Sequence, residues 1–316
     1  MTSRSVIVFG PTGAVGSAAA RVAHQHGAKV TLAMRDTAKC IPGLNPSQEA
    51  ADGYQRVRAD LSQPDTVRSA VIQTGAKHAF IYMVFGSSDH MRASIEALKD
   101  AGIESVVLLS SISVQGDPHE VSPNDLIAFA HAQAEINLLE VFGKERFTAV
   151  RPAFFASNSF WWSRQIATEA EVKTSFPDVR LDYISPEDIG AVCGTLLAGA
   201  AHTAAGDQEI NFVKLVGPEI LSVAEAIQVI ARVLGKDVGV TTVNDDECLQ
   251  IMVTKSELPE PLAKHLIDQF AQLRDGAGFF GSTDLEEYRT NIERYLQRPP
   301  TKFEQWVEQH KENFSS

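Results

Sequence analysis

The sequence predicts an α/β protein: a doubly wound parallel sheet followed by a smaller, mainly helical region. Three observations point there. The chain opens on an unbroken apolar run, Val6-Ile7-Val8-Phe9, which suits a strand buried on both faces. Three glycines at a spacing of three, Gly10, Gly13 and Gly16, then lead into an alanine-rich stretch with no breaker before Gly27. From there to residue 152, short apolar strands alternate with helix-length segments, the pattern of right-handed crossovers in a parallel sheet.

Each element has its own local reason. Lys29 to Ala33 reads as the second strand, and the loop after it holds Pro42, Gly43, Asn45 and Pro46. Tyr54 to Ala59 is a short third strand. A helix follows, opened by Ser62 and Asp65 at a capping-box spacing. His78 to Val84 is the fourth strand, and Asp89 to Ala101 a helix stopped by Gly102. Ser105 to Leu109 is the fifth strand, Leu126 to Phe142 a long helix, and Phe147 to Val150 the sixth strand. Residues 1–152 are therefore expected to form a dinucleotide-binding domain. Residues 153–316 are expected to form a substrate region interleaved with the first sheet. In it, Val179 to Ile184 and Gln208 to Val213 are candidate strands, Ser222 to Leu234 a helix stopped by Gly235, and the last helix starts at Thr301.

Composition narrows the class. The 316 residues are 44% hydrophobic and 22% charged, globular values with ample core. A net charge of −12 and a pI of about 5.2 argue against a nucleic-acid or anionic-membrane surface. Cys40, Cys193 and Cys248 are far apart and form no disulfide framework, so a reducing, cytoplasmic setting is expected. MTSRSVIVFG does not read as a signal peptide, and no apolar run approaches the roughly 18 residues of a membrane span. His24 and His26 lack acidic or cysteine partners nearby, so no metal site is expected. Asp245, Asp246 and Glu247 read as a solvated face.

The glycine turn predicts the chemistry. Gly10 permits a tight turn, Gly13 lets a pyrophosphate approach the backbone, and Gly16 lets the helix pack closely. The free N–H groups and positive dipole end of the helix would hold the phosphates. At the end of the second strand stand Met34, Arg35 and Asp36. Arg35 supplies a fork suited to a 2′-phosphate, which points to NADP(H). Asp36 either turns away or favours NAD. Asp60 and Leu61 would flank the adenine, and Asp60 would also serve as a cap. The expected cofactor set is Gly10, Thr12, Gly13, Ala14, Val15, Gly16, Arg35, Asp60, Leu61, Met83, Val84, His131, Ala153 and Phe154.

With GPTGAVG, Arg35, Asp60-Leu61, Ser110-Ser111, Arg151-Pro152-Ala153-Phe154 and the GFFG segment near Phe279, the chain resembles the NmrA-like family over nearly its whole length. That resemblance implies an atypical short-chain dehydrogenase/reductase with an NAD(P)-binding Rossmann core. The family holds NADP(H)-dependent reductases and also non-catalytic regulators that bind dinucleotides. The chain's five tyrosines give no Tyr-x-x-x-Lys. In the family's reductases a lysine four residues ahead of a glutamate often does that work. Here the pattern is His131-Ala132-Gln133-Ala134-Glu135, so histidine replaces lysine. With an ordinary pKa near 6.5, His131 would protonate or orient a substrate, or it is a plain helix-face histidine. Ser110 and Ser111 either bond a substrate oxygen or cap the fifth strand, and Ser111 joins His131 as the catalytic candidate. Phe155, Asn158 and Trp161, with Phe279 and Phe280, would wall an apolar or aromatic substrate. The expected activity is hydride transfer to a small apolar carbonyl, enone or quinone. The alternative is a dinucleotide sensor whose output is a protein contact.

Overall fold

The computed structural model describes residues 3–201, 211–275, 285 and 288–315. The chain divides into two compact units. The first comprises Met1–Pro152, Pro186–Leu215 and Asn291–Pro299, and the second Ala153–Ser185, Val216–Thr290 and Pro300–Ser316.

In chain order the first strands are β1 (Ser5–Phe9), β2 (Lys29–Met34), β3 (Gln55–Arg58), β4 (His78–Tyr82), β5 (Ser105–Leu109) and β6 (Phe147–Pro152). β7 (Glu171–Thr174) and β8 (Arg180–Leu181) lie in the second unit, and β9 (Phe212–Leu215) returns to the first. β10 (Leu221–Ser222) and β11 (Gly239–Thr242) close the series. The first helices are α1 (Ala14–Gln25), α2 (Pro46–Ala51), α3 (Pro64–Thr74), α4 (Arg92–Asp100), α5 (Leu126–Phe142) and α6 (Ser163–Thr168). They are followed by α7 (Pro186–Leu197), α8 (Val223–Leu234), α9 (Asp245–Thr254), α10 (Glu260–Arg274), α11 (Asn291–Leu296) and α12 (Phe303–Gln309).

The first unit is built on one sheet of order β3-β2-β1-β4-β5-β6-β9, with every pair parallel. This is the expected doubly wound fold. Strand order reverses between β1 and β4, and that switch point opens a crevice beyond the carboxyl ends of the strands. Val6, Ile7 and Val8 are fully buried, as the unbroken apolar run predicts. On one face α1 packs on α7. A Cβ at Gly190 would meet the Val15 carbonyl oxygen at 2.3 Å, and one at Gly194 the Ala19 oxygen at 2.5 Å. Glycines on α7 and alanines on α1 therefore let two helix backbones nearly touch. The second unit pairs β10 with β8 antiparallel and β11 with β7 parallel.

Several local expectations change. Ser62 does not cap α3: Gln63 is the N-cap and Pro64 fills the first turn, while Ser62 donates to Asp60 instead. Proline at that position carries the fixed φ a helix start needs. α4 starts at Arg92, because the Asp89 carboxylate is spent accepting from Met91 N and Ala93 N. The loop after β2 contains α2, capped by Asn45. α8 carries the full Ser222–Glu225 capping box and ends at Gly235, as its sequence indicates. The Asp245–Glu247 run is the first turn of α9, capped by Asn244, where carboxylates favour the helix dipole. Among the described residues no helix is long and apolar enough to cross a membrane.

Candidate functional site

The turn between β1 and α1 is shaped by its three glycines, each for a different reason. Gly10 has φ +69°, and a Cβ there would also meet the Tyr82 ring at 2.6 Å. A Cβ on Gly16 would lie 2.2 Å from the Gly10 carbonyl oxygen, so only glycine lets the helix close on the turn. Gly13 is different: it is the N-cap of α1 in extended conformation, exposed, and a Cβ there meets nothing nearer than 3.7 Å. The protein itself leaves room for a side chain at Gly13. No side chain caps α1 and no acidic residue stands in its first turn. Thr12, Ala14 and Val15 complete this anion-ready helix start.

The ends of β2, β3 and β4 form the rest of the crevice. Arg35 is exposed and makes no hydrogen bond or ion pair among the described residues. Asp36 is the turn residue: its carboxylate accepts from Ala38 N at 3.0 Å. Burial pushes the Asp60 carboxyl up, but two hydrogen bonds from Ser62 and the Arg35 charge outweigh it, so the group sits below its ordinary value. Leu61 is buried, with its carbonyl accepting from Ser94 Oγ at 2.7 Å. Met83 is buried and Val84 half-buried just past β4. Leu61, Ser62, Val84, Phe85, Ser88 and Ser94 help line a cleft of about 410 Å³, within the size range of ligand sites.

α5 contributes His131 and, one turn on, Glu135. Glu135 and Arg151 are fully buried and paired: Arg151 Nη2 donates to Oε2 at 2.5 Å and Nε to Oε1 at 3.0 Å. Ser110 Oγ donates to the same carboxylate at 2.5 Å, and Arg151 Nη1 donates to the Val114 carbonyl. The guanidinium also lies 4.2 Å from the Phe212 ring centre. This network pins α5 to the ends of β5 and β6. Ser111 is half-buried and bonds Ser113 Oγ at 2.8 Å within its own turn.

His131 keeps its place on the inner face of α5, but not the pKa the sequence argument gave it. Burial, then the nearby Arg151 charge, pushes the imidazole down to about 4. It is therefore neutral at pH 7 and is not an imidazolium acid. Its Nδ1 is buried without a hydrogen-bond partner. This depression has a measurable consequence. Between about pH 6.5 and 4 the unfolded chain takes a proton that the native chain refuses, so stability falls as pH falls through that window. The contribution is about 3 kcal/mol in full. Asp182, raised by burial to about 6, opposes it, because there the native state holds the extra proton below that pH. Urea midpoints at pH 7 and pH 5 check this: His131→Gln is expected to lose much less stability on acidification than the parent chain.

In the second unit the aromatic run divides. Phe154 packs edge-on against Trp161, Tyr183 and Phe270. Phe160 turns the other way, onto Trp306 and Phe314. Phe154, Trp161 and Trp162 wall a cavity of about 20 Å³, room for one water and not for a ring-sized substrate. Phe155 bridges to Ile184, and Asn158 sits in the 3-10 turn; neither lines that cavity. Ala153 is buried. Phe279 and Phe280 lie outside the described residues. A residue the sequence argument passed over is Asp182, whose buried carboxylate accepts from Phe154 N at 2.9 Å and Gly217 N at 2.6 Å. A lone acid inside the apolar stretch LDYI was its signal. His24 and His26 face a backbone carbonyl and Thr195, respectively.

A parallel sheet of this order, with a glycine turn at its switch point, defines a dinucleotide-type α/β fold. The chain belongs to the NmrA-like family, whose model matches residues 2–307. It is 38% identical over 316 residues to the nitrogen metabolite regulation-like protein bik4 of Gibberella fujikuroi, covering 96% of this chain and 95% of that one. It is 25% identical over 268 residues to the NAD(P)H azoreductase of Xenophilus azovorans, covering 84% and 86%. Its fold matches an NADPH-dependent quinone oxidoreductase of Escherichia coli complexed with NADPH, at TM-score 0.71 and 17% identity. That match covers 97% of this chain and 99% of the other.

Proposed function

We propose that this chain is an NADP(H)-dependent reductase of a small, apolar carbonyl, enone or quinone. The observation that carries the proposal is the open cradle at Gly13, in front of an uncapped helix start and within one crevice with unpaired Arg35. The residues present fit the dinucleotide. Gly13 leaves the space a pyrophosphate would fill, Arg35 is the free cation for a 2′-phosphate, and Asp36 is occupied in its own turn. Leu61, Met83 and Val84 supply the apolar flank for the adenosine half. The azoreductase and quinone oxidoreductase relatives support the same cofactor class.

When bound, the nicotinamide supplies a hydride. The chain's own contribution is orientation and a polar contact. A neutral His131 donates one N–H to the substrate oxygen and polarises it, as a neutral histidine can; solvent supplies the proton in the end. The Glu135–Arg151 pair fixes the turn of α5 that carries this ring. Ser111 offers a second donor at the end of β5. A sensor reading stands beside this one because the 38%-identical relative bears a regulation-like name and no Tyr-x-x-x-Lys is present.

The test is parallel titration of the purified protein with NADPH, NADP⁺, NADH and NAD⁺, followed by a carbonyl and quinone turnover screen. Preference for NADPH with turnover is expected. Tighter binding of the oxidised forms without turnover would favour the sensor. Arg35→Ala is expected to weaken NADPH at least tenfold while leaving NADH within about twofold, since one charge-assisted contact carries roughly 1.5–3 kcal/mol. Equal losses for both cofactors would remove Arg35 from the 2′-phosphate.

A further inference from the structure

We infer that Arg56 is a positioning residue for Arg35, and that it sets the preference for a 2′-phosphorylated dinucleotide without touching it; the inference rests on the NADP(H) binding proposed above. The Arg35 charge acts on Asp60 and on Tyr82, whose ring lies against Gly10. With no hydrogen bond or ion pair among the described residues, the Arg35 side chain is aimed by the backbone on either side of it. Upstream, the sheet fixes that backbone. Met34 pairs with Arg58 of β3, and its carbonyl accepts from Ala59 N at 3.0 Å. Downstream, the chain leaves the sheet at once into a turn at residues 36–39.

That turn is held from within and from outside. From within, Asp36 accepts from Ala38 N on its carboxylate at 3.0 Å and from Lys39 N on its carbonyl at 3.4 Å. From outside, Arg56 reaches over from the edge strand β3, where it pairs with Leu32. Its Nη1 donates to the Thr37 carbonyl at 2.5 Å and to the Lys39 carbonyl at 2.9 Å. Its Nε and Nη2 donate to the two carboxylate oxygens of Glu49 at 2.5 and 2.7 Å. Glu49 is itself buried in the first turn of α2. Four of the five guanidinium N–H groups are thus engaged, which leaves Arg56 little to offer a ligand.

Two features set this arrangement apart from an ordinary surface ion pair. The pair is bidentate onto a buried carboxylate, which locks the plane of the guanidinium. The other edge of the fork is spent on carbonyls at an exposed turn, where water would satisfy them almost as well. Those two bonds add little stability. What they add is order: the turn beside Arg35 is fixed before a ligand arrives, so binding does not bear the entropy of fixing it.

The test is a mutant cycle read in NADPH and NADH affinity. Arg56→Met with Glu49→Leu removes the clamp without stranding a buried charge. Arg56→Lys keeps a charge opposite Glu49 but loses the planar fork. NADPH is expected to weaken about tenfold in the first and about threefold in the second, with NADH within about twofold of the parent in both. Cooperative urea unfolding of each variant checks the fold. In an Arg35→Ala background the same changes are expected to alter NADPH affinity less than twofold, because the clamp then has nothing to aim. Full NADPH affinity in the Arg56→Met, Glu49→Leu variant overturns the inference. An equal loss of NADH marks a merely structural clamp and overturns it too. So does an NADPH loss that persists without Arg35, which puts Arg56 on the phosphate itself. A parent chain that binds NADPH and NADH alike refutes this inference and leaves dinucleotide binding intact; one that binds neither refutes both.

Discussion

Glu135→Ala is expected to destabilise the first unit by about 3–5 kcal/mol, measured as a lowered urea midpoint at constant slope. Both members of the pair are fully buried. Removing the carboxylate leaves the Arg151 charge in an apolar interior with only the Val114 carbonyl and the Phe212 ring as company. It also strips Ser110 Oγ of its acceptor. The cost is that of a stranded charge and not the worth of the ion pair. A Glu135→Leu, Arg151→Met double variant is therefore expected to recover most of the loss, because an apolar pair of similar volume avoids desolvation altogether. If the double variant is no more stable than Glu135→Ala, the network is needed for more than charge balance. The same double variant removes the charge that helps depress His131, so its imidazole is expected to titrate higher than in the parent chain, readable by NMR.

Gly13→Ala is expected to leave the fold stable to within about 1 kcal/mol and yet weaken NADPH by roughly 10- to 150-fold. The first half follows from the geometry: the residue is extended, exposed, and a Cβ there touches nothing closer than 3.7 Å. Alanine is a poorer N-cap than glycine, which accounts for the loss of up to about 1 kcal/mol. The second half follows because a methyl group occupies the space a pyrophosphate needs, at the loss of one charge-assisted hydrogen bond of about 1.5–3 kcal/mol. Gly16→Ala is the control that fails differently. Its Cβ would sit 2.2 Å from the Gly10 carbonyl oxygen, so stability and binding fall together. Dye-monitored melting and NADPH fluorescence titration on both variants separate the two roles. Unchanged NADPH affinity in Gly13→Ala would contradict a phosphate at this turn.

How much was legible in the sequence depended on the range of the forces involved. The β1 turn could be read because an apolar run, a glycine spacing and a helix start are all local. Neutral His131 could not. Its residue type was visible, but its charge state depends on burial and on Arg151, twenty residues away on β6. Glu135 and Arg151 left a faint trace, as lone charges within AQAEINLL and FTAVRP. The stretch from Phe154 to Trp162 read as one wall. The 3-10 turn Ala156–Trp162 winds tightly enough to send Phe160 and Trp161 in different directions. Gly190 and Gly194 look like weak points within a helix until the neighbouring backbone is known.

The interleaved chain path bears on how the protein is made. α1 is synthesised well before α7, and its alanine-lined face finds that partner only after residue 197 has been added. β9 reaches the sheet edge later still. Two tethers follow β9: Asn291, donating to the Lys214 carbonyl at 2.9 Å, and Arg298, reaching the buried Asp188 at 2.6 Å. The first unit is thus completed only after most of the other unit has been synthesised. While those intervening residues are being made, α1 lacks its α7 cover and the sheet lacks its β9 edge.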